Sequence, residues 1–131
     1  MRWLRKKRKQ RDMDDVAIVQ TDLRGQISAW SQGAETLFGH GANAALGKAL
    51  DLIVPEQFRA QHWMGFRAAM ERGSLSGGEP FVLPILCADG ETRRFAGRLM
   101  LMRDAYGRSV GATAVFVPER TDADAPALYQ L

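Results

Sequence analysis

The side chains able to do chemistry in this chain are few: two histidines, His40 and His62, one cysteine, Cys87, and six methionines. No serine, histidine and aspartate fall at the spacing of a nucleophilic triad. One cysteine and two histidines supply fewer nitrogen and thiolate ligands than a four-coordinate structural zinc needs. A lone cysteine also excludes an internal disulfide. Gly77-Gly78 lacks the lysine that follows in a phosphate-binding loop. These residues therefore predict no enzyme. What remains is binding chemistry centred on His62, which falls four apart with Phe58, Phe66 and Met70 on an apolar helical stripe. His40 sits in a glycine-rich turn and reads as solvated.

The elements that must hold His62 follow from the same patterns. Val16 to Thr21 reads as a short buried strand. Asp22-Leu23-Arg24-Gly25 is a turn, and Gln26 to Trp30 returns as a second strand. Ser31 is an N-cap, and the helical turn Ala34 to Phe38 ends at Gly39. A second short helix spans Gly41 to Leu46, and Lys48 to Val54 reads as an apolar connection. The spacing predicts one long helix from Pro55 to Glu71, stopped by Gly73. Phe81 to Cys87 is a strand in which Pro84 marks an edge or a bulge. Asp89-Gly90 is a hairpin turn. Arg93 to Met102 and Ser109 to Val117 are the last two strands, joined by the Asp104 to Gly107 turn. On alternation Phe95, Gly97, Leu99 and Leu101 share one face, and Met100 and Met102 the other. The order is two strands, a helical middle and three strands. It predicts an α+β domain with an antiparallel sheet flanked by helices on one face.

Length and charge set the outer bounds. The chain has 131 residues, 46% hydrophobic and 25% charged, ordinary values for one domain. Seven of its 18 basic residues crowd into the first 11 positions, which hold no acid. The remainder carries 11 basic and 15 acidic residues, a net −4. The pI near 9.4 thus describes a tail, and no basic face for nucleic acid is expected. Residues 1–13 read as a basic helical extension, either a solvated tail or a helix that pairs subunits in a homodimer rather than binding nucleic acid, with a membrane surface not expected. Residues 14–120 read as the domain, and 121–131 as a disordered tail. No apolar run approaches the ~20 residues of a membrane helix. With no secretory signal, a cytoplasmic location is expected.

The string Thr21-Asp22-Leu23-Arg24-Gly25-Gln26-Ile27 with Trp30, then Gly33-Ala34-Glu35 with Leu37-Phe38-Gly39, Leu46-Gly47, Ile53-Val54-Pro55-Glu56, Asp89-Gly90 and the Asp104 to Gly107 turn resemble the PAS domain over about Asp14 to Arg120. Ser31-Gln32 stands where that family usually has Asn-Pro. The resemblance implies a five-stranded antiparallel sheet with short helices and one longer helix. It implies a sensory or interaction module of signal transduction, with a pocket between sheet and helices. The flavin-photoreceptor branch carries a cysteine on the helix after the second strand pair, and no cysteine lies there.

The stretch from Val54-Pro55-Glu56 to His62 resembles the heme-binding PAS domains of rhizobial oxygen-sensing kinases. That resemblance implies a b-type heme with His62 as its iron (metal) ligand. The cofactor would be flanked by Phe58, Phe66, Phe81, Leu83, Gly97 and Leu99, with Gly97 opening room for a ring or else marking a bulge. Oxygen-sensing relatives place an arginine or methionine where Phe81 and Glu79 stand here. Phe81 cannot donate a hydrogen bond to bound oxygen. The implied input is then a small diatomic gas other than stably bound O₂, or a redox change, unless Arg93 supplies the donor. The sulfurs of Met64, Met70, Met100, Met102 and Cys87 are possible second ligands, with packing as their plainer role. Two other readings stay open: a pocket for another small organic molecule, and a cofactor-free interaction module. Either way the output passes to a downstream signalling partner or to a second copy.

Overall fold

The computed structural model describes residues 10–75 and 80–120. The expected basic extension lies outside the described residues up to residue 9, as do the expected C-terminal tail and residues 76–79. The described chain enters through Met13–Asp15, one 3-10 turn. Beside it Arg11 donates to both carboxylate oxygens of Glu119, at 2.7 and 3.0 Å. This pair ties the entry to the final strand.

β1 (Ala17–Thr21) buries alternate residues, Ala17, Val19 and Thr21. Asp22 Oδ1 then accepts from the backbone N–H groups of Arg24 and Gln26, which folds the turn locally. Gly25 adopts φ +80°, and a Cβ there would strike the Trp63 ring, so both backbone and space demand glycine. β2 (Ile27–Trp30) returns antiparallel to β1. Ser31 Oγ accepts from Ala34 N at 3.2 Å and caps α1 (Gln32–Phe38), as the sequence predicts. The same oxygen accepts from Ile18 N at 2.9 Å, which fastens the helix start to β1. α2 (Ala42–Ala45) follows, then a 3-10 turn, Leu50–Leu52, inside the stretch expected as a plain connection.

The long helix departs from expectation at its start. Glu56–Phe58 is a separate 3-10 turn, and α3 (Arg59–Arg72) begins only afterwards. Phe58 sits at φ −108°, ψ 0°, off the helical values, and this resets the helical phase between Phe58 and His62. Arg59 holds the break by donating to the carbonyls of Val54 (3.1 Å) and Asp51 (3.2 Å). Gly73, left-handed at φ +76°, ends α3.

β3 (Phe81–Leu86), β4 (Thr92–Arg103) and β5 (Ser109–Arg120) complete one antiparallel sheet in the order β2-β1-β5-β4-β3. β3 is an edge strand, so Pro84 removes no ladder bond on its free side. The helices cover one face, and the core lies between. Its centre is aromatic: the Phe38 ring meets Phe95 at 5.3 Å, Phe116 at 5.5 Å and Trp30 at 5.9 Å, all edge to face. Phe38, Phe95 and Phe116 are the largest fully buried side chains among the described residues. Each contributes roughly 1.5–3 kcal/mol through burial.

Candidate functional site

Going along the sheet away from those rings, the inner side chains shrink. β5 presents Phe116, then Ala114, then Ala112, and β4 presents Phe95, Gly97, Leu99 and Leu101. α3 does not sink into the space this leaves. Of its described residues Ala69 alone is buried. Between helix and sheet lies a cavity of about 110 Å³. Leu99 and Leu101, Ala112 and Ala114, Val19 and Thr21, and Leu83 and Ile85 form its sheet side. Gln61, His62, Gly65, Phe66, Ala69 and Met70 form its helix side. Among the described residues no lysine, arginine, aspartate or glutamate faces it.

The rim near His62 is rigidly built. Trp63 Nε1 donates to Asp51 Oδ1 at 2.6 Å, and its ring lies over Gly25. The His62 ring packs edge to face on Trp63 at 4.8 Å and tilts against Phe66 at 6.0 Å. Burial pushes the His62 imidazole down to about 4, a fall the charge of Asp51 only partly offsets. At neutral pH the ring is therefore uncharged. Thr21 is the other polar group of note. It is 3% exposed, and its Oγ1 has no hydrogen-bond partner among the described residues.

Of the residues expected around a ligand, the structure brings His62, Phe66, Leu83 and Leu99 to this cavity. It does not bring Phe58, Phe81 or Gly97. Phe58 is carried off the stripe by the 3-10 turn and packs against the core instead. The Phe81 ring meets Phe116 at 6.2 Å and belongs to the filled end. At Gly97 a Cβ would lie 2.8 Å from Phe116 Cδ1 and 2.7 Å from Val115 O, so a neighbouring ring already takes the room. A register shift lies beside it, but the extra residues are on β5, where Phe116 to Arg120 faces Gly97 to Phe95. Met70 lines the cavity, whereas Met64 and Met100 are exposed. Cys87 is buried beside α1, with its sulfur nearest the carbonyls of Ile85 and Leu37. Arg93 is clamped to Asp89 at 2.7 and 3.0 Å and lines a separate groove, so it offers no donor to the cavity. That clamp holds the Asp89 carboxyl down at about 2.

Sequence reasoning missed Thr21, Gly65, Ala112 and Ala114. The available signal was alternation on β5: two alanines at successive inward positions leave a hollow wherever the facing helix is not pulled close.

A porphyrin does not fit this room. An apolar cavity of about 150 Å³ takes one benzene ring, and a porphyrin carries four pyrrole rings. The room shown here therefore does not support the expectation of heme b, although the His62 ring is present and neutral. For a metal ion held by the protein alone, a separate question from heme, no three of histidine, cysteine, aspartate and glutamate come together among the described residues.

The family model of the PAS fold matches residues 13–117. Among solved structures, the chain is similar to the PAS domain of a protein from Colwellia psychrerythraea. The two are 24% identical, with 77% of this chain and 83% of that one covered at a TM-score of 0.65. It is similar to the PAS domain of the Cronobacter turicensis RpfR quorum-sensing receptor in complex with BDSF, at 14% identity, 79% and 92% coverage and a TM-score of 0.63. It is also similar to a light-oxygen-voltage domain described with a flavin analogue, at 23% identity, 82% and 78% coverage and a TM-score of 0.64. At these identities the likeness is one of fold. No curated protein matches the sequence.

Proposed function

The chain belongs to the PAS family of sensory domains, and from that premise we propose that its input is occupancy of the cavity under α3 by a small, largely apolar molecule. One observation carries the reading. A core that is ring-packed at one end keeps about 110 Å³ open at the other. Apolar wall left facing water there costs about 25 cal/mol for each Å² that a guest would cover. A ligand that fills it recovers that energy on binding. The fold relatives described with BDSF, with C12:0 and with a flavin analogue make a small-molecule input natural for this architecture.

The relay would run through α3. The helix is pinned at its start by Arg59 and Trp63 and has little burial along its length. A molecule seated beneath it changes how it lies on β4 and β5. The surface offered to a partner or a second copy changes with it. Gas or redox sensing through a heme on His62 asks for a several-fold larger room. A cofactor-free interaction module leaves the void without a purpose.

Thermal denaturation with a panel of uncharged molecules of about four to eight heavy atoms, the smallest seated within the cavity and the larger reaching its open side, tests the proposal. At least one should raise the melting temperature saturably, and none should do so in Ala114→Leu, which fills the room. Absence of any response, or an equal response in the variant, would refute it. A Soret band on adding hemin that disappears in His62→Ala would reinstate the heme reading.

A further inference from the structure

The cavity wall says more about its occupant than size. We infer that the ligand is electrically neutral and carries one hydrogen-bonding group that meets the Thr21 hydroxyl, with an apolar body against Phe66, Leu99 and Leu101. The inference rests on the cavity being a ligand site, as proposed above.

Two independent observations lead there. Thr21 is almost wholly buried and lines the cavity, yet its Oγ1 lacks a partner among the described residues. Most buried hydroxyls are bonded, because leaving one dry wastes its interaction with water. The position is an inward one on β1 where valine, equal in shape, would pack without that cost. A threonine there makes sense when something in the cavity bonds to it. An ordered water needs two to four polar partners, and besides Thr21 the described lining offers only the polar side chains of Gln61 and His62, both on the opposite, helix side.

The second observation is charge. No ionised side chain among the described residues faces the cavity, and the neutral imidazole of His62 does not supply a cation at neutral pH. A carboxylate or phosphate would be stripped of water with nothing to pair it. A neutral alcohol, ketone, lactone or amide of compact shape meets both conditions.

Three probes that share one ring test this on the whole chain: toluene, benzyl alcohol and benzoate at pH 7.5. Dissociation constants are measured by calorimetry or NMR for the wild type, Thr21→Val and Thr21→Ser. The ratio of toluene to benzyl alcohol constants should fall about tenfold in Thr21→Val, the value of one hydrogen bond in a dry site. Thr21→Ser, which keeps the hydroxyl, should retain it. Benzoate should bind at least about a hundredfold more weakly than benzyl alcohol, because its charge is unpaired. A ratio unchanged in Thr21→Val would remove Thr21 as the contact. Benzoate binding as well as benzyl alcohol would overturn neutrality. Toluene binding alone would leave the cavity a ligand site and defeat this inference. Failure of all three probes would defeat the ligand site itself.

Discussion

β4 and β5 run from a filled end to a hollow one. At the filled end Phe95 and Phe116 close on Phe38 and Trp30, with centroids between 5.3 and 5.9 Å of the Phe38 ring. Gly97 lets Phe116 lie flush against the sheet. At the hollow end the same two strands present Leu99, Leu101, Ala112 and Ala114 to a helix that stays high above them. The same two strands pair antiparallel at both ends, with a register shift beside Gly97. Side-chain volume alone separates a region built for stability from one built to admit a guest.

That contrast is sharpest under truncation. Phe38→Ala should cost about 3–5 kcal/mol in urea denaturation, because the surrounding rings cannot collapse into the gap. Leu99→Ala should cost no more than about 2 kcal/mol, since that side chain is only partly buried and gives up less contact. Equal losses would show that the two ends are packed alike.

Acid should act on the hollow end next. His62 titrates near 4 in the folded chain and near 6.5 when unfolded. Between those values the unfolded chain binds the extra proton, so stability falls as pH drops from 6.5 towards 4. The loss approaches roughly 3 kcal/mol, and above pH 6.5 the residue contributes no slope. Denaturation measured across this window should show a flatter profile for His62→Gln than for the wild type. Parallel profiles would mean that the imidazole is solvated.

Smaller effects follow. Thr21→Val should stabilise the ligand-free chain by about 1 kcal/mol by removing an unbonded buried hydroxyl. A loss of stability would show that the hydroxyl has a partner. Arg11→Ala breaks an exposed ion pair with Glu119 and should leave the denaturation midpoint unchanged within error. A marked drop would make that pair a structural clasp.

The sequence carried the fold because its signals are local. Ser31 caps, Asp22 and Asp89 make turns with their own neighbours, Pro84 falls on an edge, and strand alternation sorts Leu99 from Met100. The site is a matter of volumes contributed by residues far apart in the chain, and there local signals lose force. His62 and Phe66 were legible from helical spacing. Phe58 was misplaced because one residue off helical geometry changes the phase of everything before it. Phe81 and Gly97 were assigned to the ligand because nothing local says that the Phe116 ring would occupy their space. Thr21 reads as any strand threonine until β5 beside it is known to carry Ala112 and Ala114.

The direct test of a hollow end that holds a guest is a methyl NMR titration of the full chain with benzyl alcohol. Saturable shifts should be confined to methyl groups that line the cavity, among them Leu99, Leu101, Ala112, Ala114, Val19 and Leu83, while those of Ala34 and Ile27 in the filled core stay still. Shifts that never saturate, or that spread equally over both ends, would contradict a built cavity and with it the sensory role assigned to this site.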